Sequence, residues 1–448
     1  MLKRLFYLGL ILACVAVPFS TTRTQAQGGI DWKTVLGDWS GKTLKVLMIN
    51  DPWYTAFEDI DKEFTDLTGA NVVIDAYSYD DTHVKEVLVG TSQSADYDVI
   101  VLDSPWVGEF AEGGFVEDLT PYIEKDKDIV AFDDFIPSFQ AVSQWKGQVI
   151  GIPFGAYVVM LHYRTDLFEA AGIQAPPATF DEWKADAEKL TKDGTYGVAL
   201  NNQRGSPVGQ AFFEYIYGMG GKPFESMYPG SPDVYADMTP LLDSPESIAV
   251  VQLFIDMLKY EPPGAENFAW DQRTTSFMVG QSAMLSEWTV RTPGLNNPEQ
   301  SSVVGKFATA VFPHKEGVDP VPPLGGWVMG INKFGQQKDM AWDYIKWFTS
   351  KETHKKFVLA GGPPSRLSTM EDADVLAAQF WVPTVAESFK YTFADCRPRI
   401  PESSQIITMI GDYVNKAIVG EMSVEDAMKA ADTDVAKLLK DAGYVVNQ

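Results

Sequence analysis

The chain has 448 residues, of which 45% are hydrophobic, and its 36 basic against 61 acidic side chains give a formal net charge of −25. A surface of that sign repels nucleic acid and anionic membranes, so neither is expected as a partner. Cys14, Cys396 and four scattered histidines offer no thiol pair and no His-x-x-x-His spacing, so neither a metal nor a cofactor is expected.

In chain order, residues 1–26 have the pattern of an export signal peptide. Lys3 and Arg4 precede an apolar run from Leu5 to Phe19, shorter than a bilayer span, and Thr24-Gln25-Ala26 forms a small-residue cleavage site. Export predicts a periplasmic protein. Cys14 lies inside the apolar run, which continues through Val15, Val17 and Phe19, so cleavage at the later site is expected over lipid anchoring. The processed chain then has Cys396 as its one thiol and no internal disulfide. It is too long for a single hydrophobic core, and two lobes are expected.

Residues 43–50 read as a strand and 53–67 as a helix, with Phe57, Ile60 and Phe64 at helical spacing and Gly69 as its end. A strand at 71–76, a short helix at 83–89 and a strand at 97–102 follow. This β-α-β-α-β order predicts an α/β fold with a mostly parallel sheet flanked by helices. Ligands of such sheets lie beyond the carboxyl ends of the strands, which selects Asn50-Asp51 and Asp103-Ser104. The Pro- and Gly-bearing stretch 151–157 leads into a β-rich run at 158–163 and reads as the first crossing between lobes. From Asp166 to about Tyr260 the pattern is mainly helical, with Asp181 as an N-cap and an aromatic helix at 210–219. A helix at 274–280, strands at 281–286 and 307–312, and a return crossing at 327–332 come next. Met340, Ala341, Tyr344, Ile345 and Phe348 mark a further helix, and 406–442 carries two amphipathic helices divided by Gly420 and Ser423, with Ser423 capping the second. The expected division is 27–155 plus 331–372 for lobe 1, and 156–330 plus 373–448 for a helix-rich lobe 2.

Catalytic signatures are absent: no Gly-x-Ser-x-Gly turn, no Gly-x-x-x-x-Gly-Lys-[Ser/Thr] loop and no Gly-x-Gly-x-x-Gly after a strand. The acidic runs at Asp80-Asp81 and Asp126 to Asp128 lack the ligand spacing of a calcium loop and read as solvated surface. What stands out is tryptophan near element ends: Trp53, Trp106, Trp270, Trp288 and Trp327, unlike Trp342 and Trp347 inside a helix. A sugar buries C–H faces against indoles, while each hydroxyl demands a donor and an acceptor. The stretch from Pro322 to Arg366 combines these needs. Gly325 and Gly326 are expected to take positive φ and present Trp327 at an opening, and Pro363-Pro364 to stiffen the turn presenting Arg366. The competing reading is a core-facing tryptophan and a surface arginine.

A series of short motifs carries a family likeness. They are residues 98–103 followed by 113–119, Gly151-Ile-Pro-Phe154 with 163–168, 177–183, 277–284, 325–331, the 342–348 helix, 361–366, and Arg397-Pro-Arg-Ile-Pro401. In this order and spacing the chain resembles the family 1 extracellular solute-binding proteins of ATP-driven importers, the maltose-, trehalose- and polyol-binding group. The resemblance implies a two-lobed periplasmic-binding-protein fold (type II) whose lobes close about a hinge on a sugar. By position it implies Asp51, Asp103, Trp288, Trp327 and Arg366 as ligand residues, with Trp53, Ser104, Trp106, Tyr157, Gln210 and Trp270 behind them. The residues around Trp106 and Gln210 depart from the maltodextrin pattern, so the implied ligand is more broadly a mono- or oligosaccharide or a sugar alcohol. The implied partner is an ABC permease with its cytoplasmic ATPase, served by a monomeric binding protein that is not an enzyme. Two alternatives stand beside it. One is a secreted glycoside hydrolase, which needs two carboxylates about 5–10 Å apart. The other is a solute-binding protein for a non-sugar ligand such as a polyamine or an anion.

Overall fold

Three parallel strands, β1 (Thr43–Ile49), β2 (Asn71–Tyr77) and β3 (Val99–Asp103), open the fold in the order β2-β1-β3. The computed structural model describes residues 29–447; the signal peptide read in residues 1–26, with Cys14, lies outside the described residues. Helix Tyr54–Thr68 joins β1 to β2 and buries Phe57, Ile60 and Phe64. It ends at Gly69, whose φ of 73° is left-handed and whose N–H closes on the Thr65 carbonyl at 2.8 Å. The next helix, Tyr79–Thr91, starts earlier than the sequence pattern predicts. The Ser78 side chain accepts from the Asp81 N–H and nucleates the helix directly at the end of β2.

The sheet is mixed, not mostly parallel, because two long strands run back across it. After a small hairpin of β4 (Gln144–Trp145) and β5 (Gln148–Val149), β6 (Ile152–Arg164) extends for 13 residues. Its first part pairs antiparallel with β10 (Leu324–Ile331), which in turn lies antiparallel to β3. Its second part pairs antiparallel with β8 (Ser282–Trp288) and β9 (Phe307–Val311), while β7 (Tyr196–Ala199) lies parallel to β8. Crossover helices return the chain for parallel pairing, whereas β6 and β10 connect the two halves without one and so enter against their neighbours.

Helices cover both halves. Lys338–Phe348 packs on Tyr54–Thr68 through Phe64 against Tyr344 and through Phe57 stacked on Phe348 at 4.3 Å. In the second half, the N-cap of helix Phe180–Leu190 is Thr179 and not Asp181. Thr179 and Glu182 form a capping box, which leaves Asp181 in the first turn. The aromatic helix spans Ser206–Ile216 and packs against Ser403–Ile418, which is followed by Val424–Asp441 behind its Ser423 cap. From Trp32 onward the chain forms one compact unit. Among the described residues no helix is long and apolar enough to cross a membrane.

Candidate functional site

The strand ends converge on one cavity of about 390 Å³. Asp51 follows β1, Tyr79 and Asp80 follow β2, Asp103 ends β3 and Trp288 ends β8, so the rule that ligands gather at carboxyl edges holds on both sides of the cavity. Trp270 and Asp271 open helix Trp270–Met278, and Gln210 projects from Ser206–Ile216. Trp327 and Tyr157, from the paired strands β10 and β6, complete the wall.

Glycine shapes that wall. A β-carbon on Gly325 would lie 2.7 Å from the Tyr157 ring and 2.8 Å from Trp288, so the two aromatic rings can approach only over a bare backbone. Gly326 alone of the pair takes a positive φ, 142°, correcting the expectation that both would. Trp327 is 1% exposed, and its Nε1 donates to the Tyr157 Oη at 2.6 Å. That bond leaves the Tyr157 hydroxyl proton free for another acceptor.

Two polar clusters stand against these rings. In the first, Asp103 accepts from Tyr79 Oη at 2.7 Å, from the Ser104 N–H at 2.7 Å and from Arg397 Nη1 at 3.2 Å, while Arg397 Nη2 donates to Ser104 Oγ at 2.9 Å. Burial opposes the charge on Arg397, but Asp103 and its neighbours more than offset this and hold the pKa above its ordinary value. In the second, Asp51 accepts from Trp53 Nε1 at 3.0 Å. Burial pushes the Asp51 carboxyl up to about 6, against the pull of Arg291 and Trp53; Arg291 itself donates to Asp271 at 2.7 Å. Arg397 Nε and Gln210 Nε2 are buried without a partner among the described residues. Both are unspent donors on residues that line the cavity.

Of the residues singled out in the sequence, Asp51, Asp103, Tyr157, Gln210, Trp270, Trp288 and Trp327 line the cavity. Four do not. Trp53 is 1% exposed, packs edge-on against Phe154 and Trp327, and holds Asp51 from behind. Ser104 turns its hydroxyl to Arg397. Trp106 lies behind Tyr79 and Trp327, with ring centroids 5.0 and 5.4 Å away, and borders a neighbouring cavity of about 400 Å³. Arg366 is fully buried and far from an open turn: Nε donates to the Thr349 carbonyl, Nη2 to Val130, and Nη1 to Ala131 and Asp134. It caps the carboxyl ends of helices Lys127–Val130 and Lys338–Phe348, whose last carbonyls lack intrahelical donors.

Sequence reasoning missed Tyr79, Asp80, Asp271, Arg291 and Arg397. Tyr79 and Asp80 carried the same strand-end signal as Asp51, hidden by placing their helix too late. Arg397 stands in the Arg-Pro-Arg-Ile-Pro motif, and nothing local marks Arg291. No group of His, Cys, Asp or Glu among the described residues is arranged to hold a metal ion.

Residues 51–355 match the family of bacterial extracellular solute-binding proteins. The chain belongs to that family. A solved ABC transporter solute-binding protein of Agrobacterium radiobacter K84, in complex with ribitol, matches at a TM-score of 0.83 and 33% identity over 89% of this chain and 99% of that one. A relative in Sinorhizobium fredii, described as a probable amino-acid ABC transporter periplasmic-binding protein, is 27% identical over 99% of this chain and 100% of its own. The erythritol/L-threitol-binding protein of Mycolicibacterium smegmatis is 25% identical over 75% of this chain and 72% of its own. This solute-binding protein therefore has the two-lobed α/β fold of its relatives, which bind solutes and are not enzymes. The glycoside hydrolase alternative falls with that membership.

Proposed function

We propose that this protein is the binding component of an ABC importer, capturing a sugar or sugar alcohol between two lobes and delivering it to a membrane permease. The observation that carries the reading is one cavity that sets Trp270, Trp288 and Trp327 beside Asp51 and Asp103 and beside unspent donors on Arg397 and Gln210. Indole faces suit the C–H side of a polyol, and the carboxylates and donors suit its hydroxyls. The volume of about 390 Å³ falls in the range of small-molecule sites. The names of the relatives that bind erythritol, threitol and ribitol support a polyol.

The lobes are 27–155 plus 331–372, and 156–330 plus 373–448, supported by β6 and β10 as the strands shared by both halves of the sheet. Closure follows from differential affinity: ligand bridging both lobes binds the closed form better and shifts the population toward it. The permease then reads the closed outline of a monomer. The residue 1–26 pattern supports cleavage and a periplasmic location without a lipid on Cys14.

An amino-acid ligand, as named for the full-length relative, fits less well. Its carboxylate needs an uncommitted cation, and Arg397 and Arg291 are already paired with Asp103 and Asp271. A thermal-shift screen of the processed protein against erythritol, ribitol, mannitol, glucose, maltose and the common amino acids tests the reading, because a ligand of the folded state raises the melting temperature. Stabilisation by polyols or sugars is expected. Stabilisation by amino acids alone would overturn it.

A further inference from the structure

The ionic inventory of the cavity is unbalanced. Four carboxylates line it, Asp51, Asp80, Asp103 and Asp271, against two guanidiniums, Arg291 and Arg397. Arg397 is committed to Asp103 at 3.2 Å and Arg291 to Asp271 at 2.7 Å. Asp51 accepts from the neutral Trp53 indole, and Asp80 from the Ser206 hydroxyl at 3.1 Å. Among the described residues neither has an ion-pair partner, although Arg291 lies near enough to Asp51 to act on it through space. The second layer does not redress the balance. Arg273, 1% exposed, pairs with Glu287 at 2.8 Å and lies 3.9 Å from Glu214, so it leaves no cation over for the cavity.

The walls add to this field. Trp270, Trp288, Trp327 and Tyr79 line the same space, and a cation over an indole face is attracted by the ring quadrupole. Two side chains of the cavity lining also hold unspent donors: Gln210 Nε2 and Arg397 Nε, on side chains 4% and 5% exposed, have no partner among the described residues. A purely cationic ligand such as a polyamine would leave both unsatisfied.

We infer that the preferred ligand is an aminated polyol or amino sugar, whose ammonium is received by Asp51, with Asp80 adding to the field, while its hydroxyls satisfy Gln210 and Arg397. This rests on the sugar or polyol reading above and narrows it to a charge class.

Isothermal titration of the processed protein near neutral pH with sorbitol and with 1-amino-1-deoxysorbitol tests it, since the pair differs by one hydroxyl exchanged for an ammonium. The amine is expected to bind at least about tenfold more tightly. The gap should narrow with added salt as the ionic contribution is screened, and Asp51→Asn should reduce it to about threefold or less. Sorbitol binding as tightly as the amine would overturn the inference and leave the polyol reading standing. Binding of neither these nor any neutral sugar or polyol would overturn both. A preference for the amine that survives unchanged in both Asp51→Asn and Asp80→Asn would overturn the assignment of the ammonium to this corner.

Discussion

Arg366 and Arg397 are both buried guanidiniums, each beside a carboxylate and an aromatic ring. Arg366 lies 3.9 Å over Phe135 and pairs with Asp134; Arg397 lies 5.7 Å from the Trp288 ring and pairs with Asp103. They differ in where the remaining donors go. Arg366 spends its on the carbonyls of Val130, Ala131 and Thr349, which ties two helix ends together, whereas Arg397 keeps Nε unpaired at a cavity wall. Burial, charge pairing and an aromatic neighbour therefore do not distinguish a fold-holding arginine from one that lines a cavity. The unspent donor does.

The largest expected effect breaks the fold-holding side of this comparison. Arg366→Met takes the Arg366 donor from the Val130 and Thr349 carbonyls and one partner each from Ala131 and Asp134, which keep the Asp134 N–H and Ser368, and should cost about 3–5 kcal/mol in a denaturant titration. A loss below about 1 kcal/mol would mean that water replaces the capping role. Trp327→Ala should cost about 3–5 kcal/mol, because the indole is 1% exposed and packs against Trp53, Tyr79 and Trp106. The informative change there is Trp327→Phe, which keeps a ring, removes the bond to Tyr157 and should weaken polyol binding about tenfold in calorimetry. On the cavity side, Arg397→Lys keeps the charge but loses the fork shared between Asp103 and Ser104. Affinity should fall about three- to tenfold, with a smaller change in stability than Arg366→Met produces; the reverse order would erase the distinction.

The smallest expected effect is a pH slope. Burial raises the carboxyls of Asp51 to about 6 and of Asp61, Glu214 and Glu261 to about 7. The folded state thus holds these protons more tightly than the unfolded chain. Their stabilising contribution is complete below about pH 4 and is lost as pH rises through about 6 to 7. The unliganded protein should melt higher at about pH 5.5 than at about pH 7.5, and Glu214→Gln should flatten part of that slope. A melting temperature that climbs steadily with pH over this window would contradict the assignment.

Sequence by itself determined the alternating elements of the first half, the stop at Gly69, the cap at Ser423 and the strand-end positions of Asp51 and Asp103. These depend on neighbours in the chain: periods of 2 or 3.6 residues, a left-handed glycine, a hydroxyl three residues from the N–H it accepts. The tertiary structure alone decided that β10 runs against β3, that the 363–364 proline turn carries Arg366 inward, and that Trp106 stands behind Tyr79. It also brought Arg397 to Asp103 across 294 residues of chain. No local pattern records such a partner, because its energy depends on burial and on which donors other segments have already satisfied.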